Sequence, residues 1–589
     1  MTVRTFGEFE LDGDARQLRL RGEEIPLQPR VFDLLDYLFG HRDRVVDKEE
    51  LLSTLWPGVI VTDSSLQRAM SLARSALREG GMENAIRTYP RRGYRFCLEQ
   101  SCAPQVDAAA RRGDALQRAH ELMREHHWAE AANAFEQADA EQPLSAADLE
   151  RWALAAQCAG MLLDAIDPLE RAAAAWSALQ DQQATARTNI LLARIQLESQ
   201  ETAIARGCLR RAARLLRDLP VCEQHGHLEW VTSRYCCYTG EIAEAMEHAQ
   251  KAIEIGHRLH NPDLQSIGLL YRGVAAQAGG ETARGLEFQD EAAAAVLAGD
   301  VSPLIGGIVY CGLIAGCCNS GDWPRAGQWT ESFRRWCERK RLRTFAGSCI
   351  LHRAEVFAAR GQLSSAISEL QAGAELLRRS APWAEGDAYR VLGDVYLARG
   401  EFERCEEAYR NAHEHGWDPY PGYAMLQYYR GNADAALRGL QRACEQTDWV
   451  AGERRGNYLA CMVTIAALSG RRERAERLLS ELDAQPELWS RGAVHAFVVR
   501  ARGELAMATG DTGTAQAHFR SAARALAELD LPVESALVRI SLARALLQQG
   551  DADGAEMELT AAKRVFVRAQ ASLYLNMCES LLQQSRSMV

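Results

Sequence analysis

Glycine recurs along most of this chain at nearly constant intervals. Gly240, Gly280, Gly321, Gly361, Gly400, Gly431, Gly470, Gly510 and Gly550 are separated by 40, 41, 40, 39, 31, 39, 40 and 40 residues. A small residue follows most of them, then a large one four positions later and a small one three after that. Ala366/Leu370/Gly373, Ala515/Phe519/Ala522 and Ala555/Leu559/Ala562 are examples. Glycine suits the turn between two antiparallel helices, and small residues let the helices approach closely. Each period is therefore expected to be one helix pair that hides its apolar face only against its neighbours. Such an array coils into a superhelix with a concave groove.

Tyr389, Leu392, Gly393 and Tyr396, placed before Gly400, complete a pattern that resembles the tetratricopeptide repeat, as do Ala131, Phe135, Ala138 and Pro143. The array is expected over residues 115–589 as about twelve helix pairs, most degenerate between Leu144 and Cys222. The stretch from Leu304 to Ala571 resembles the helical repeats of MalT-like and large LuxR-type bacterial regulators, in which the array binds an inducer or a partner. The repeat register places Trp230, Arg234, Glu355, Arg390, Asp394, Tyr428, Arg500 and Glu504 along the groove, a mixture suited to a polar small molecule or a peptide. The 31-residue step coincides with Gly416-Trp417-Asp418-Pro419-Tyr420-Pro421-Gly422-Tyr423. Two prolines there predict a rigid, non-helical elbow.

The first hundred residues read differently. Thr5–Leu11, Gln17–Leu20 and Ile25–Leu27 alternate apolar and polar residues between turn signals, which predicts a small antiparallel sheet. Three helices follow, one opened by Pro29 or Arg30, one over Lys48–Leu55 and one over Ser64–Arg78. Ile86–Phe96 closes the segment as an arginine-rich β-hairpin around Pro90 and Gly93. Helix, loop, helix and β-wing in this order form a winged helix-turn-helix, which places its last helix in the major groove.

The run LQPRVFDLLDYLF…RVVDKEELLSTLWPG…VTDSSLQRAMSLARSALRE…IRTYPRRGYRF resembles the DNA-binding domain of OmpR-type regulators. By position, the resemblance implies that Ser64, Ser65, Gln67, Arg68, Ser71 and Arg74 read bases and hold phosphates. Arg87, Thr88, Arg91 and Arg92 would belong to the wing, while Trp56 and Tyr94 brace loop and wing. Many relatives carry Arg-Leu-Arg late in that helix; Leu72-Ala73-Arg74 stands here, so one phosphate-clamping arginine is absent.

The formal charge is −11, which for the whole chain argues against a nucleic-acid binder. Ser64–Cys97, however, holds seven arginines against two glutamates. Segregated basic charge on helix and wing is an electrostatic footprint for DNA. Sixteen cysteines include two vicinal pairs, Cys236-Cys237 and Cys317-Cys318, at one repeat register. One member of each is expected to pack as a small apolar residue, and the linear spacings of Cys and His predict no metal site. No catalytic motif stands out, so no enzyme and no cofactor are expected. No leader peptide, membrane span or phosphoacceptor domain is read.

The expected fold is mainly α: a small α+β winged helix over residues 1–100, a linker over 101–114, then an all-α tetratricopeptide-like superhelix. The expected function is a cytoplasmic bacterial transcription regulator, more an activator than a repressor. It would bind double-stranded DNA as a dimer, with RNA polymerase a possible contact, and sense a small molecule or protein through the repeats. The alternative is an interaction scaffold whose winged helix contacts protein rather than specific DNA.

Overall fold

Phe6, Phe9, Leu11, Leu18 and Ile25 alternate with polar neighbours, and each is buried. In the computed structural model they line one face of a four-stranded antiparallel sheet. Its strands are β1 (Val3–Phe6), β2 (Phe9–Asp12), β3 (Gln17–Leu20) and β4 (Glu23–Ile25), in sequential order. The segment expected as one strand over Thr5–Leu11 is thus two, because Phe6 pairs with Phe9 as the chain reverses. The structure describes residues 3–6, 9–13, 15–25, 27, 29–42, 44–55, 63–78, 82, 85–89, 93–97, 105–342, 346–446 and 452–588. The chain divides into two units, Met1–Ala109 and Ala110–Val589.

In the first unit, α1 (Pro29–Gly40) drives Val31, Phe32, Leu34, Leu35, Leu38 and Phe39 inward. Helix α2 (Lys48–Leu55) adds Leu51 and Leu55, and α3 (Asp63–Arg78) adds Leu66, Met70, Ala73 and Leu77. The hairpin β5 (Ile86–Tyr89) and β6 (Gly93–Phe96) covers this core with Ile86, Tyr94 and Phe96. Phe96 sets its ring edge-on to Phe6 and Phe39, a favourable aromatic geometry.

The second unit is helical throughout its described residues. Counting the helix Gln105–Arg124, which spans the boundary, the described residues form twelve helix pairs and a last single helix, Ser572–Met588, with short 3-10 turns between some of them. The first helix begins at Gln105, so the expected linker over 101–114 is mostly helical; its alanines and arginines are strong helix formers. Pairing also continues through the degenerate stretch, as Ala146–Cys158 with Ile166–Ala178 and Gln182–Glu198 with Thr202–Leu216.

The nine periodic glycines all sit at positive φ, between +70° and +88°. They end first helices in the left-handed conformation that closes a helix C-terminus, which side-chain-bearing residues adopt at a cost. The small positions are equally constrained. A Cβ on Gly393 would stand 2.4 Å from the Tyr409 ring, and one on Gly373 would stand 2.5 Å from Ile350. At the 31-residue step, Trp417–Pro421 replaces helix, leaving a first helix of only eight residues, Gly422–Tyr429. Asp418 ties the elbow down by accepting from Tyr458 Oη at 2.5 Å.

Successive turns of the superhelix touch. Arg360 Nε donates to Asp530 Oδ2 at 2.6 Å and Ser364 Oγ to Gln570 Oε1 at 2.6 Å. Gly321 and Gly492 pack against Ala493 and the Ser320 carbonyl so tightly that a Cβ at either would fall under 3 Å from its neighbour. The inner face is consequently more enclosed than an open groove would be, and that decides the burial of what lies on it.

Candidate nucleic-acid interface and inner face of the repeats

The wing is held by backbone and by two residue choices. Val46 and Tyr94 exchange both backbone hydrogen bonds at 2.8 Å, which pins β6 to the segment before α2. Gly93 permits this: its φ is +121°, and a Cβ there would lie 1.9 Å from the Val46 carbonyl oxygen. Tyr94 is buried, as expected for a residue bracing the wing.

Arg74 donates from Nε and Nη2 to the Ile86 carbonyl, both at 3.1 Å. This expected base or phosphate contact is therefore half-buried and couples the end of α3 to the start of the wing. Leu72, two residues earlier, is 38% exposed. The missing arginine thus leaves an exposed apolar residue on the helix.

Ser64, Ser65, Gln67, Arg68 and Ser71 lie on α3. Ser64, Arg68 and Ser71 fall by helical register opposite the buried Leu66–Met70–Ala73–Leu77 stripe. The side chains of these five, and that of Thr88 on β5, fall outside the described residues, as do Trp56, Arg91 and Arg92 entirely.

Arg87 is exposed and forms no ion pair among the described residues. Directly across the ladder stands Arg95, whose Nε donates to the Arg42 carbonyl at 2.9 Å. Two guanidinium groups on one face of a hairpin repel, and a phosphate would relieve that repulsion.

In the repeats, the expected groove residues are more buried than a solvated groove requires. Trp230 is packed into the core, stacked on Tyr271, with its Nε1 donating to His227. Arg234, also buried, bonds Glu198 Oε1 at 2.7 Å. These two are part of the interior between repeats, because the preceding and following pairs close over them.

The other six fall in two polar clusters, linked by the fields of Arg500 and Asp394 at Glu534. Arg390 donates to Asp387 at 2.6 Å, Asp394 at 2.8 Å and Glu355 at 3.1 Å, a single guanidinium among three carboxylates. Burial raises the pKa of Asp387 and of Asp394, with Arg390 opposing it. Burial works the same way on Glu355, but His352 and Arg390 outweigh it and hold that carboxyl below its usual range.

Arg544 bonds the buried Glu504, which also accepts from Ser541 at 2.5 Å. Arg500 stands 4.0 Å from Glu534, whose pKa burial raises. Tyr428 lies within the field of Arg544, Glu504 and Arg500. The buried Nε atoms of Arg500 and Arg544 have no hydrogen-bond partner. Buried donors of that kind are unusual and invite a polar ligand or water.

Linear spacing missed one group. Cys318, His352 and Glu355 bring their ligand atoms within 4.8 Å of one another. They are separated by 34 and 3 residues, so only helix pairing reveals them. The vicinal thiols are not activated: burial pushes Cys236, Cys237, Cys317 and Cys318 up to about 12, where little thiolate exists. Among the described residues, no helix is long and apolar enough to cross a membrane.

Residues 22–96 match the family model "Transcriptional regulatory protein, C terminal". Over 94 residues the chain is 30% identical to the Escherichia coli (strain K12) transcriptional activator CadC, covering 16% of this chain and 18% of that one. Over 89 residues it is 31% identical to the phosphate regulon transcriptional regulatory protein PhoB of the same organism, covering 15% and 39%. The chain thus spans well under half the length of these relatives. The N-terminal unit is a winged helix of the OmpR/PhoB type, homologous to those of CadC and PhoB. Among solved structures, the anaphase-promoting-complex tetramer Cut9–Hcn1 aligns over 81% of this chain and 96% of its own, at 14% identity and a TM-score of 0.43.

Proposed function

We propose that the protein is a transcription regulator that binds duplex DNA through α3 and the β5–β6 wing and takes its input on the inner face of the repeats. The observation carrying the DNA half is the Arg87–Arg95 pair, two opposed cations on a hairpin locked to the recognition helix through Arg74. The buried guanidinium–carboxylate network around Arg390, Arg500 and Arg544 supports the sensing half. A polar small molecule or peptide that completes those donors would favour one arrangement of the touching superhelical turns over another.

Activation is the proposed sign, by analogy with the activator whose domain the first unit is similar to. A single modest basic patch gives weak, salt-dependent binding. Useful specificity therefore calls for two copies on repeated half-sites, with RNA polymerase as a further contact and the cytoplasm as the place of action.

The test is sequencing of genomic fragments retained by the purified full chain at near-physiological salt. A shared motif, repeated at about one helical turn, supports the reading. Retention without a motif overturns it and leaves an interaction scaffold whose winged helix meets protein.

A further inference from the structure

We infer that the inner face holds a binding site for a zinc-class divalent cation, made by the Cys318 thiolate, one imidazole nitrogen of His352 and Glu355 Oε2. The inference stands independently of whether the winged helix binds DNA.

Two neighbouring first helices supply the donors. Pro303–Asn319 carries Cys311 and Cys318, seven residues apart and so on one face; Ala346–Ala359 carries His352 and Glu355, three apart and likewise on one face. Cys318, His352 and Glu355 each offer a ligand atom within 4.8 Å of the other two. Donors around a tetrahedral ion, at bonds of about 2.0 to 2.3 Å, stand roughly 3.3 to 3.8 Å apart. Closing the set therefore takes movements of about half an ångström per side chain, within the reach of small χ adjustments.

The surroundings are those of a supported site. His352 is 2% exposed and presents Nδ1 to Glu355 Oε2 at 3.2 Å and Nε2 to Cys311 Sγ at 3.7 Å. With Nδ1 on the ion, Nε2 keeps Cys311 Sγ as the partner that fixes the ring, as ligating histidines require. Glu355 divides its work in the same way. Oε1 accepts from Arg390 at 3.1 Å, which leaves Oε2 toward His352. An ion on Oε2 leaves the Arg390 bond intact, so the guanidinium orients the ligand instead of competing with it.

One thiolate, one imidazole and one carboxylate form a mixed sulfur, nitrogen and oxygen set. It favours zinc and similar borderline ions over calcium or magnesium, which take oxygen. A water completes four-coordination. Binding exchanges the thiol proton of Cys318 for the ion and releases it to solvent.

The repeat array contains its own control. Cys237 and Cys318 each stand three residues before a turn glycine, Gly240 and Gly321. Nine residues before the next turn glycine, Cys318 meets His352, whereas Cys237 meets Tyr271, with which it interacts. A tyrosine at that place offers no imidazole, and Val274 stands at the register of Glu355, so the same cysteine register there lacks both further ligands.

The experiment uses the full chain, reduced and stripped of metal, titrated with Co²⁺ and then Zn²⁺. The expected result is a near-ultraviolet thiolate-to-cobalt band saturating at one equivalent and erased by zinc. The band is lost in Cys318→Ser and in His352→Ala and kept in Cys237→Ser, with helical circular dichroism compared across all four. No band in the wild type, or a band that survives Cys318→Ser, overturns the site. Should the variants misfold, X-ray absorption of zinc-loaded wild type decides. A sulfur shell at about 2.3 Å with nitrogen and oxygen at about 2.0 Å supports the site, and a shell without sulfur overturns it.

Discussion

Arg87 and Arg95 face one another across the β5–β6 ladder, and neither meets an acidic side chain among the described residues. Arg95 is anchored on the Arg42 carbonyl, while Arg87 is exposed with no such anchor among the described residues. The free member is the one available to a phosphate. Arg87→Ala is expected to weaken binding to all duplexes alike and to reduce the slope of log affinity against log salt by about 1. Because it also relieves like-charge repulsion, it should leave the melting temperature unchanged or slightly higher. Fluorescence anisotropy across a salt series checks the first effect; an unchanged slope rejects the wing contact.

Leu72 offers the converse change. It is 38% exposed on α3, at the position where the resemblance to OmpR-type regulators implies a phosphate-clamping arginine. Leu72→Arg should restore that contact, raise affinity several-fold at low salt and steepen the salt dependence by about 1. Equal affinity of both proteins for duplex DNA across the salt range would show that this turn of α3 does not approach the backbone.

Gly93 is the residue on which the wing's position rests. At φ +121°, with a Cβ 1.9 Å from the Val46 oxygen, Gly93→Ala cannot be absorbed by rotamer changes. It must break the Val46–Tyr94 bridge or shift the strand. The expected cost to the winged helix is about 2 to 4 kcal/mol, read as a lower first transition in calorimetry while the repeat transition stays in place. An unaltered melt would mean that the bridge is not what seats the wing.

The pH dependence of this unit should centre on Glu50. Arg44 first, then Tyr37, bond its carboxylate and lower its pKa to about 2. A lowered carboxyl pKa stabilises the fold fully above the ordinary value of 4.5 and loses that contribution as pH falls toward 2. With the side chain 25% exposed, solvent screening limits the gain to about 1 kcal/mol or less. Glu50→Gln should therefore lower stability at neutral pH and match the wild type near pH 2. A constant difference at all pH values would assign the effect to packing instead.

How much of this was legible in the sequence depends on whether the signal was local. The periodic glycines announced the helix pairs because each sits at a turn that only a left-handed residue closes easily. The wing announced itself through Pro90, Gly93 and its arginines. Arg74 is a DNA candidate by its place on α3, and place on a helix says nothing of whether a long side chain also reaches a carbonyl twelve residues away. The repeat register gives no sign of how deeply a groove candidate such as Trp230 or Arg234 is packed, and the contact between superhelical turns, such as Arg360 with Asp530, is invisible in linear spacing. That contact encloses the inner face. Cys318 and His352 carry no linear signal for the same reason, since no motif joins residues of different helix pairs.

Arg390 tests that enclosure. It alone bonds Glu355, Asp387 and Asp394 together, in a region where burial already raises two of the three carboxyls. Removing the cation strands like charges away from water, a change that costs about 3 to 5 kcal/mol. Removing one carboxylate from the same set relieves repulsion and costs little. Arg390→Met should thus destabilise strongly, whereas Asp387→Asn should remain near the wild type. Repeat arrays need not unfold in one step. The readout is therefore hydrogen exchange of the Glu385–Arg399 helix, with faster exchange in the first variant and little change in the second. Equal exchange in both would mean that water reaches the inner face freely and that the turns do not close it.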